Sequence, residues 1–240
     1  MKVAVAQTKP FQGQIEQNII QHQRLINLAL AAGAEMLFFP ELSLTGYEPQ
    51  LAKTLGIEPN DSLLNNFQTI SDTQQITIGV GMPTKHDSDM HISMILFQPW
   101  QSRQVYSKQY LHPDEYPYFK NGQQQAFLAE KKVALAICYE LFIPAHSENA
   151  AQNGSVIYIA SVAKSAEGIK KASLQLANIA QQYGMTVLMA NCTGHCDNFE
   201  SAGGSAIWNN KGTLLAQLHH TCEGILMIDT ATQAITEKIL

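Results

Sequence analysis

The sequence predicts an α/β fold, and two observations support it. Short unbroken apolar segments, typical of strands buried on both faces, alternate with segments whose apolar residues recur at helical spacing. Each half of the chain runs, in rough form, strand, helix, strand, helix and then two strands. This alternation predicts a mixed sheet layered with helices. No linker rich in Gly, Ser or Pro interrupts the pattern, so we expect one domain over residues 1–240.

The first half of the chain begins with a strand at Lys2–Gln7. Apolar residues at helical spacing predict an amphipathic helix over Ile15–Ala32, which Gly33 ends as a C-terminal glycine often does. The next strand, Met36–Phe39, stops at Pro40. A second helix and three strands are predicted at Ser62–Ser71, Ile76–Val80, Ile92–Phe97 and Gln104–Tyr106. The last two strands are expected to pair in antiparallel fashion through a turn near Pro99.

The second half is organised around the apolar run Val133–Ile137, a predicted buried strand that ends directly on Cys138. Pro144 then opens a helix-like stretch over Ala145–Asn153, since proline is tolerated in a first helical turn. A helix and five further strands are predicted at Glu167–Tyr183, Val156–Ile159, Thr186–Ala190, Ser205–Trp208, Thr213–Gln217 and Ile225–Asp229. The Asn-Asn-Lys-Gly turn between the third and fourth of these strands indicates a hairpin.

Composition excludes several classes of partner. The 240-residue chain carries a net charge of −5 and has no Lys/Arg cluster typical of nucleic-acid binding. No run approaches the roughly 18 apolar residues of a membrane span. The first ten residues lack the apolar core and cleavage site of a signal peptide. We therefore expect a soluble, cytoplasmic protein with no nucleic-acid or membrane partner.

Four cysteines are present, and two of them suggest a zinc site. Cys192 and Cys196 flank His195, but only the isolated Cys222 follows, whereas a structural zinc site needs a second ligand pair. We therefore expect no metal, and a reducing compartment argues against disulfides.

Three residues that could carry chemistry follow apolar strands, where an α/β sheet usually places its site. They are Glu41, Lys108 and Cys138. Taken singly, each has a structural explanation: a capping acid, a solvated lysine or an inert buried thiol. Taken together they are chemically coherent, because a thiol needs a base and an ammonium stabilises the oxyanion of an acyl intermediate.

The residues around these three resemble a known family. The stretches FPELSLTGY, YSKQYLHPDEYPYF and ICYELFIPAH resemble, in order and spacing, the three signature blocks of the nitrilase superfamily of carbon–nitrogen hydrolases. The later segment VLMANCTGHCDNFESAGGS is similar to that family's Ala-Asn-x-x-Gly segment and following Gly-Gly-Ser. The resemblance covers nearly the whole chain.

This resemblance implies a four-layer α-β-β-α sandwich whose domains commonly pair through their helical layers, and hence a homodimer. It implies that Glu41 is the general base, Cys138 the nucleophile, and Lys108 with the backbone N–H of Tyr139 the oxyanion donors. Glu115 lies where many members carry a second glutamate that orients the site. The chemistry requires no metal or organic cofactor.

Departures from the family pattern concern substrate recognition. Where many relatives carry Asn or Ser followed by Pro or Trp, this chain continues Ser161-Val162-Ala163-Lys164. An Arg–Glu pair usual in the following helix is replaced by Ile179 and Gln182, which structural drift explains. Lys164 with Lys170 or Lys171 is a candidate for meeting a substrate carboxylate.

Histidines offer a rival base. His146 follows Cys138 by eight residues, and Cys–His pairs are usual in thiol hydrolases. We expect His146 to lie about two helical turns away, pointing elsewhere, and keep Glu41 as base. His112 and His195 are expected in loops that could border the pocket.

The leading functional hypothesis is an amidase-type hydrolase acting on a small amide of the omega-amide or N-carbamoyl type. Nitrile hydrolysis and a catalytically silent binding relative are the alternatives. A glutaminase-like subunit feeding ammonia to a synthase is a further possibility, which the lack of an appended synthase domain in the sequence makes less favoured. Specificity is expected in the stretches Thr45–Gln50, Leu111–Phe119 and Ser161–Gly168.

Overall fold

A computed structural model describes all 240 residues, Met1–Leu240. The strands in chain order are β1 (Lys2–Gln7), β2 (Met36–Phe38), β3 (Thr77–His86), β4 (Asp89–Phe97), β5 (Gln104–Ser107), β6 (Phe127–Leu128), β7 (Val133–Ile137), β8 (Ile157–Val162), β9 (Thr186–Asn191), β10 (Thr193–Cys196), β11 (Phe199–Ala202), β12 (Ala206–Trp208), β13 (Leu214–Gln217), β14 (Gly224–Asp229) and β15 (Ile235–Ile239). The α-helices are α1 (Ile15–Ala31), α2 (Ala52–Leu55), α3 (Asn65–Gln74), α4 (Pro144–Gln152) and α5 (Ala166–Tyr183). Single 3₁₀ turns occupy Pro49–Leu51, Ser62–Leu64 and Cys138–Phe142.

The strands form two large sheets and one small hairpin. The first sheet has the order β15-β14-β1-β2-β3-β4-β5, the second the order β13-β12-β9-β8-β7-β6, and β10 pairs only with β11. Strands β1, β2 and β3 run parallel, as do β7, β8 and β9, whereas the outer strands are antiparallel. The two sheets therefore share one plan, a parallel centre with antiparallel edges.

Side-chain alternation along the central strands builds three apolar layers. In β1, Val3 and Val5 lie in the core between the sheets, whereas Ala4 and Ala6 face the layer that includes residues of α1 and α3. In β7, alternate residues likewise divide between the central core and a third core that packs α5. Both faces of each sheet are covered, so these strands are unbroken apolar runs. The arrangement is the predicted four-layer α-β-β-α sandwich.

Most predicted elements occupy the expected residues, with small differences at their ends. The strand expected at Ile76–Val80 is the main exception, because β3 continues to His86 and pairs with β4. The extended strand runs through Pro83, although proline lacks the N–H that a strand donates. The hairpin β10–β11, the edge strands β6 and β15, and the short α2 were not predicted.

A hydrogen bond links the two sheets near the carboxyl ends of β2, β7 and β8. Strand β7 pairs with β8 so that Ile137 lies opposite Ser161, and the Ser161 hydroxyl donates to the Phe39 carbonyl at 2.8 Å. This bond ties the second sheet to the residues that follow β2. The segments carrying Glu41 and Cys138 are thereby brought to one edge. No helix has the combination of length and apolar character needed to span a membrane.

Candidate active site

Four residues expected to act together lie close to one another, three of them buried and Cys138 partly exposed. Glu41 follows β2, Lys108 follows β5, Glu115 lies in the loop after Lys108, and Cys138 follows β7. The Lys108 ammonium donates to Glu41 Oε1 at 2.7 Å and to Glu115 Oε1 at 2.6 Å. The side chains of these three residues are almost inaccessible to solvent. The chain thus buries two carboxylates around a single ammonium.

The corner that carries Glu41 depends on a glycine in the neighbouring strand. A Cβ on Gly81 would lie 2.3 Å from the Pro40 carbonyl oxygen and 2.5 Å from the Leu42 nitrogen. Leu42 itself has a φ of 51°, in the left-handed region that most side chains avoid. Leu44 N–H also donates to the Gly81 carbonyl at 3.0 Å. Only a glycine allows the corner this close to β3, and the contact fixes the position of Glu41.

The ammonium of Lys108 is held in its charged form. Burial alone would lower the pKa of Lys108, but the Glu41 and Glu115 carboxylates outweigh it and raise the pKa above its ordinary value. The backbone of Lys108 is fixed as well, since its N–H donates to the Ile92 carbonyl at 2.8 Å. Lys108 is therefore a fixed positive charge close to Cys138.

The two carboxylates differ in how completely they are hydrogen-bonded. Besides Lys108, Glu115 accepts from the Tyr47 hydroxyl at 2.9 Å and from the His112 backbone N–H at 2.7 Å. Glu41 Oε2, by contrast, is buried and accepts no hydrogen bond of ordinary geometry. Burial raises the pKa of Glu41, while Lys108 and the nearby Cys138 thiol act to lower it. Glu41 is thus the carboxylate with an oxygen left to accept a proton.

Cys138 is held in a strained conformation with its thiol protonated. Its φ of 46° lies in the left-handed region, which typically costs about 1–3 kcal/mol for a residue other than glycine. Burial raises the pKa of Cys138 to about 11, the Glu41 carboxylate adds to this effect, and the Lys164 and Lys108 ammoniums oppose it. A thiol with this pKa remains protonated at neutral pH, so attack requires a base. The 3₁₀ turn Cys138–Phe142 starts here, and its first N–H groups, Tyr139 included, lack partners within the turn.

Glu140, which was not predicted from the sequence as a site residue, stabilises this corner through hydrogen bonds. Its Oε2 accepts from the Ile137 N–H at 2.6 Å and the Tyr106 hydroxyl at 2.5 Å, and its Oε1 accepts from the Gln109 N–H at 2.6 Å. One buried carboxylate therefore joins the end of β7 to the segment around Lys108. Burial raises the pKa of Glu140 to about 7, although these donors act to lower it. The only sequence signal was an acid two residues beyond Cys138.

His146 belongs to the Glu140 network. Its Nε2 lies 2.9 Å from the Tyr106 hydroxyl and 3.6 Å from Glu140 Oε2, and its Nδ1 lies 2.9 Å from the Tyr158 hydroxyl. Burial lowers the pKa of His146 to about 4, so the imidazole is neutral at pH 7. Both ring nitrogens are engaged by these neighbours. The geometry favours Glu41 over His146 as the base for Cys138.

A cavity of about 510 Å³ opens onto Cys138. All three stretches expected to determine specificity contribute to it, and the turn between β10 and β11 adds a wall that was not predicted. Its lining residues are Tyr47, Pro49, Gln50, His112, Asp114, Glu115, Tyr118, Cys138, Tyr139, Phe142, Ala163, Lys164, Ser165, Gly168, Lys171, Asp197, Asn198 and Phe199. His112 borders the cavity as expected, whereas His195 is exposed on β10 and does not. Lys164 and Lys171 line it, and Lys170 does not.

The remaining cysteine pair lies outside this cavity. Cys192 and Cys196 are buried with their sulfurs 3.6 Å apart, and Cys192 contacts the Ser201 hydroxyl at 3.2 Å. No group of three or more His, Cys, Asp or Glu side chains is arranged to hold a metal ion.

Comparison with protein families assigns the chain. The model of the carbon–nitrogen hydrolase family matches residues 2–239. The chain belongs to this family. It is therefore a carbon–nitrogen hydrolase, as the three sequence blocks indicated.

Solved structures agree with the fold of this hydrolase. A cysteine mutant of the amidase from Nesterenkonia sp. AN1, in complex with butyramide, superposes with a TM-score of 0.87 at 22% identity, covering 97% of this chain and 92% of that one. A glutamate mutant of the same amidase, with acrylamide added to its active-site cysteine, gives a TM-score of 0.86 at 22% identity over 95% and 92% of the two chains. At this identity the likeness establishes the nitrilase-type fold.

Curated relatives of the hydrolase are longer proteins. The glutamine-dependent NAD(+) synthetase of Thermotoga maritima is 25% identical over 227 residues, which is 90% of this chain and 39% of the synthetase. That of Aquifex aeolicus is 23% identical over 206 residues, or 81% of this chain and 36% of the synthetase. The hydrolase spans about two fifths of the length of the curated relatives it matches.

Proposed function

We propose that this hydrolase cleaves a small non-peptide amide through a thioester on Cys138 and releases ammonia or an amine. The observation that carries the proposal is the cluster of Glu41, Lys108 and Cys138, in which Glu41 and Lys108 are buried behind Cys138 and Cys138 lines the cavity. In particular, Glu41 has a buried, unpartnered oxygen near a protonated thiol. A base, a nucleophile and a fixed cation are the groups that acyl transfer requires.

In the first half-reaction, Glu41 removes the proton from Cys138 as the sulfur attacks the amide carbon. The Lys108 ammonium and the Tyr139 backbone N–H stabilise the oxyanion of the tetrahedral intermediate. Collapse of this intermediate breaks the C–N bond, and the nitrogen takes the proton from Glu41 as it leaves. The enzyme now carries a thioester, and ammonia or an amine has been released.

In the second half-reaction, Glu41 takes a proton from water as the water attacks the thioester. The same donors stabilise the second oxyanion, and the thiolate leaves and regains its proton from Glu41. The balance is one amide and one water converted to one carboxylic acid and one ammonia or amine. Glu115 acts as a positioning residue in this scheme, because it fixes Lys108 and is itself held by Tyr47 and the His112 N–H.

The substrate proposed is a small linear amide of the omega-amide or N-carbamoyl type. Its size is consistent with a cavity of about 510 Å³, and the amidase from Nesterenkonia sp. AN1 with bound butyramide supports an amide as the reacting group. A second candidate is the hydrolysis of glutamine to supply ammonia, which the similarity to glutamine-dependent NAD(+) synthetases favours. Nitrile hydrolysis and a silent binding role remain as alternative outcomes of the test.

The test is an ammonia-release assay over small amides, omega-amides including glutamine, N-carbamoyl amino acids and nitriles. Cys138→Ala and Glu41→Gln are compared with the wild type, and Cys222→Ser serves as the matched cysteine control outside the cavity. We expect release from at least one amide, its loss in both active-site variants and its retention in the control. Release that persists in Cys138→Ala would exclude the proposed mechanism. Release from nitriles alone would show that the substrate is a nitrile and not an amide.

We also propose that the hydrolase is a cytoplasmic homodimer whose helical layers pack together. Exposed Leu174 on α5, with 67% of its surface accessible, supports an interface on this layer. Light scattering after size exclusion should give twice the 26.5 kDa chain mass, and Leu174→Asp should shift the mass towards one chain. A wild-type protein that elutes as a single chain would contradict this proposal.

A further inference from the structure

We propose that the cavity contains a subsite for a carboxylate, formed by the ammonium of Lys164. The substrate would then be a small amide that carries a carboxylate at the end remote from the reacting amide. This inference rests on the proposed function and specifies its substrate class.

The first argument is that Lys164 is an unpaired cation inside the cavity. Its Nζ lies 5.0 Å from the centre of the Phe142 ring, and both residues line the cavity together with Cys138. No Asp or Glu carboxylate forms an ion pair with Lys164. Lys108, the buried ammonium close to Cys138, has two carboxylate partners by contrast. A partly enclosed ammonium without an anion is a ready partner for an anionic ligand group.

The second argument is that the backbone of Lys164 is fixed by buried donors and acceptors. Asn191, fully buried, accepts the Lys164 N–H at 2.9 Å and donates to the Lys164 carbonyl at 3.1 Å. The same carbonyl accepts from the Ser201 hydroxyl at 3.1 Å and from the Ala202 N–H at 2.9 Å. These bonds hold the start of the side chain in one place. Preorganisation of this kind reduces the cost of binding a charged ligand.

The third argument is that α5 leaves room for the Lys164 side chain. A Cβ on Gly168, in the first turn of α5, would lie 3.3 Å from Lys164 Cβ and 3.6 Å from its Cγ. The absence of that Cβ lets the lysine stem pass close to the helix. The amino-terminal end of α5 adds a positive field at the same wall, which also favours an anion.

The other charged side chains of the cavity are less suited to the role. Lys171 is 70% exposed and lies 3.9 Å from Glu167. Asp114, Glu115 and Asp197 are acids, which cannot hold a carboxylate; Asp114 contacts the ring of His112, and Glu115 is buried against Lys108. Of the two lysines that line the cavity, Lys164 is therefore better placed than Lys171 to bind a carboxylate.

The experiment compares carboxylates with neutral amides of the same length. The probes are glutaramate against glutaramide and succinamate against succinamide, with kcat/KM measured by ammonia release. A charge-assisted hydrogen bond within the cavity predicts that the wild type favours a carboxylate by about 10- to 100-fold. Lys164→Gln should reduce this ratio to near one, and Lys164→Arg should retain most of it. The ratio isolates recognition, because a change in Cys138 reactivity affects both members of a pair equally.

Lys170→Gln is the matched control. Lys170 lies on α5 six residues after Lys164, is exposed and does not line the cavity, so its loss should leave the ratio unchanged. A wild type that hydrolyses neutral and charged amides equally well, or a ratio that survives Lys164→Gln, would overturn the carboxylate subsite while leaving amide hydrolysis intact.

Binding to Cys138→Ala, measured by calorimetry, separates the two proposals. Tighter binding of glutaramate or succinamate than of the diamides, lost on adding Lys164→Gln, supports the subsite even if the wild type releases no ammonia. In that case only the proposed hydrolysis fails. No preference for either carboxylate in this binding experiment would overturn the subsite directly.

Discussion

Replacing Glu41 by Gln separates two roles that a carboxylate beside a thiol could have. A base removes the thiol proton during attack, whereas a group that maintains a resting thiolate lowers the thiol pKa. The electrostatics of the site support the first role. Burial raises the pKa of Cys138 most and the Glu41 carboxylate raises it next, so the thiol is protonated at neutral pH. Glu41→Gln should therefore reduce amide hydrolysis while making the thiolate easier to form.

The magnitudes move in opposite directions. Loss of a general base reduces the rate by about 10²- to 10⁴-fold. Removal of the negative charge lowers the pKa of Cys138, and each unit of decrease increases the thiolate fraction at pH 8 by about tenfold. We expect kcat/KM to fall by at least about 100-fold while alkylation of Cys138 by iodoacetamide becomes faster.

The assay combines ammonia release with peptide mapping of the alkylated protein by mass spectrometry, which distinguishes Cys138 from the three other free cysteines. Circular dichroism and the thermal midpoint establish that the variant is folded. Alkylation that slows in parallel with hydrolysis would refute the reasoning, because Glu41 would then be maintaining a thiolate. Hydrolysis within tenfold of wild type would refute it as well.

Three further perturbations test the packing around the site. Gly81→Ala places a Cβ 2.3 Å from the Pro40 carbonyl oxygen, so the Glu41 corner must shift; we expect kcat/KM to fall by about 100-fold, and unchanged kinetics would contradict the assigned contact. Lys108→Gln leaves two buried carboxylates without a cation, so urea unfolding at pH 7 should show a loss of about 3–5 kcal/mol in unfolding free energy. Part of this loss should be regained at pH 5, where the carboxylates take up protons more readily, and equal losses at both pH values would contradict the assigned ion pairs. Folding raises the pKa of Glu140 from 4.5 to about 7, so the folded protein binds this proton more tightly than the unfolded chain does. The resulting stabilisation is fully present below pH 4.5 and is lost as the pH rises through about 7. Relative to Glu140→Gln, the wild type should lose about 3 kcal/mol of unfolding free energy over that range, and parallel pH curves for the two proteins would disprove the assignment.

The sequence was most informative for strands that are buried on both faces, because such strands consist of apolar residues. The run Val133–Ile137 is apolar throughout because one set of side chains enters the core between the sheets and the other packs under the helices. The polar residues that follow such strands, Glu41 and Cys138, then stand out in the sequence. Their grouping could be predicted because the strands that carry them end at a shared edge.

The parts that could not be predicted depend on contacts distant in sequence. Glu140 is buried because donors from the Gln109 segment and from β7 converge on it, and no local pattern reports that convergence. Strand β3 continues beyond the predicted end at Val80, because β4 pairs with it as far as His86. The β10–β11 turn reaches the cavity through contacts such as Phe199 against Tyr47, with ring centres 5.8 Å apart. Tertiary packing decides each of these features.

The most direct test of the proposed mechanism is the capture of the acyl-enzyme. The wild type is mixed with an amide that it hydrolyses, quenched with acid at short times and measured by intact-protein and peptide mass spectrometry. The mechanism predicts a transient adduct, equal in mass to the substrate less ammonia, on the peptide that contains Cys138, and no adduct in Cys138→Ala. Ammonia release with no adduct at any time, together with activity retained in Cys138→Ala, would contradict the thioester pathway.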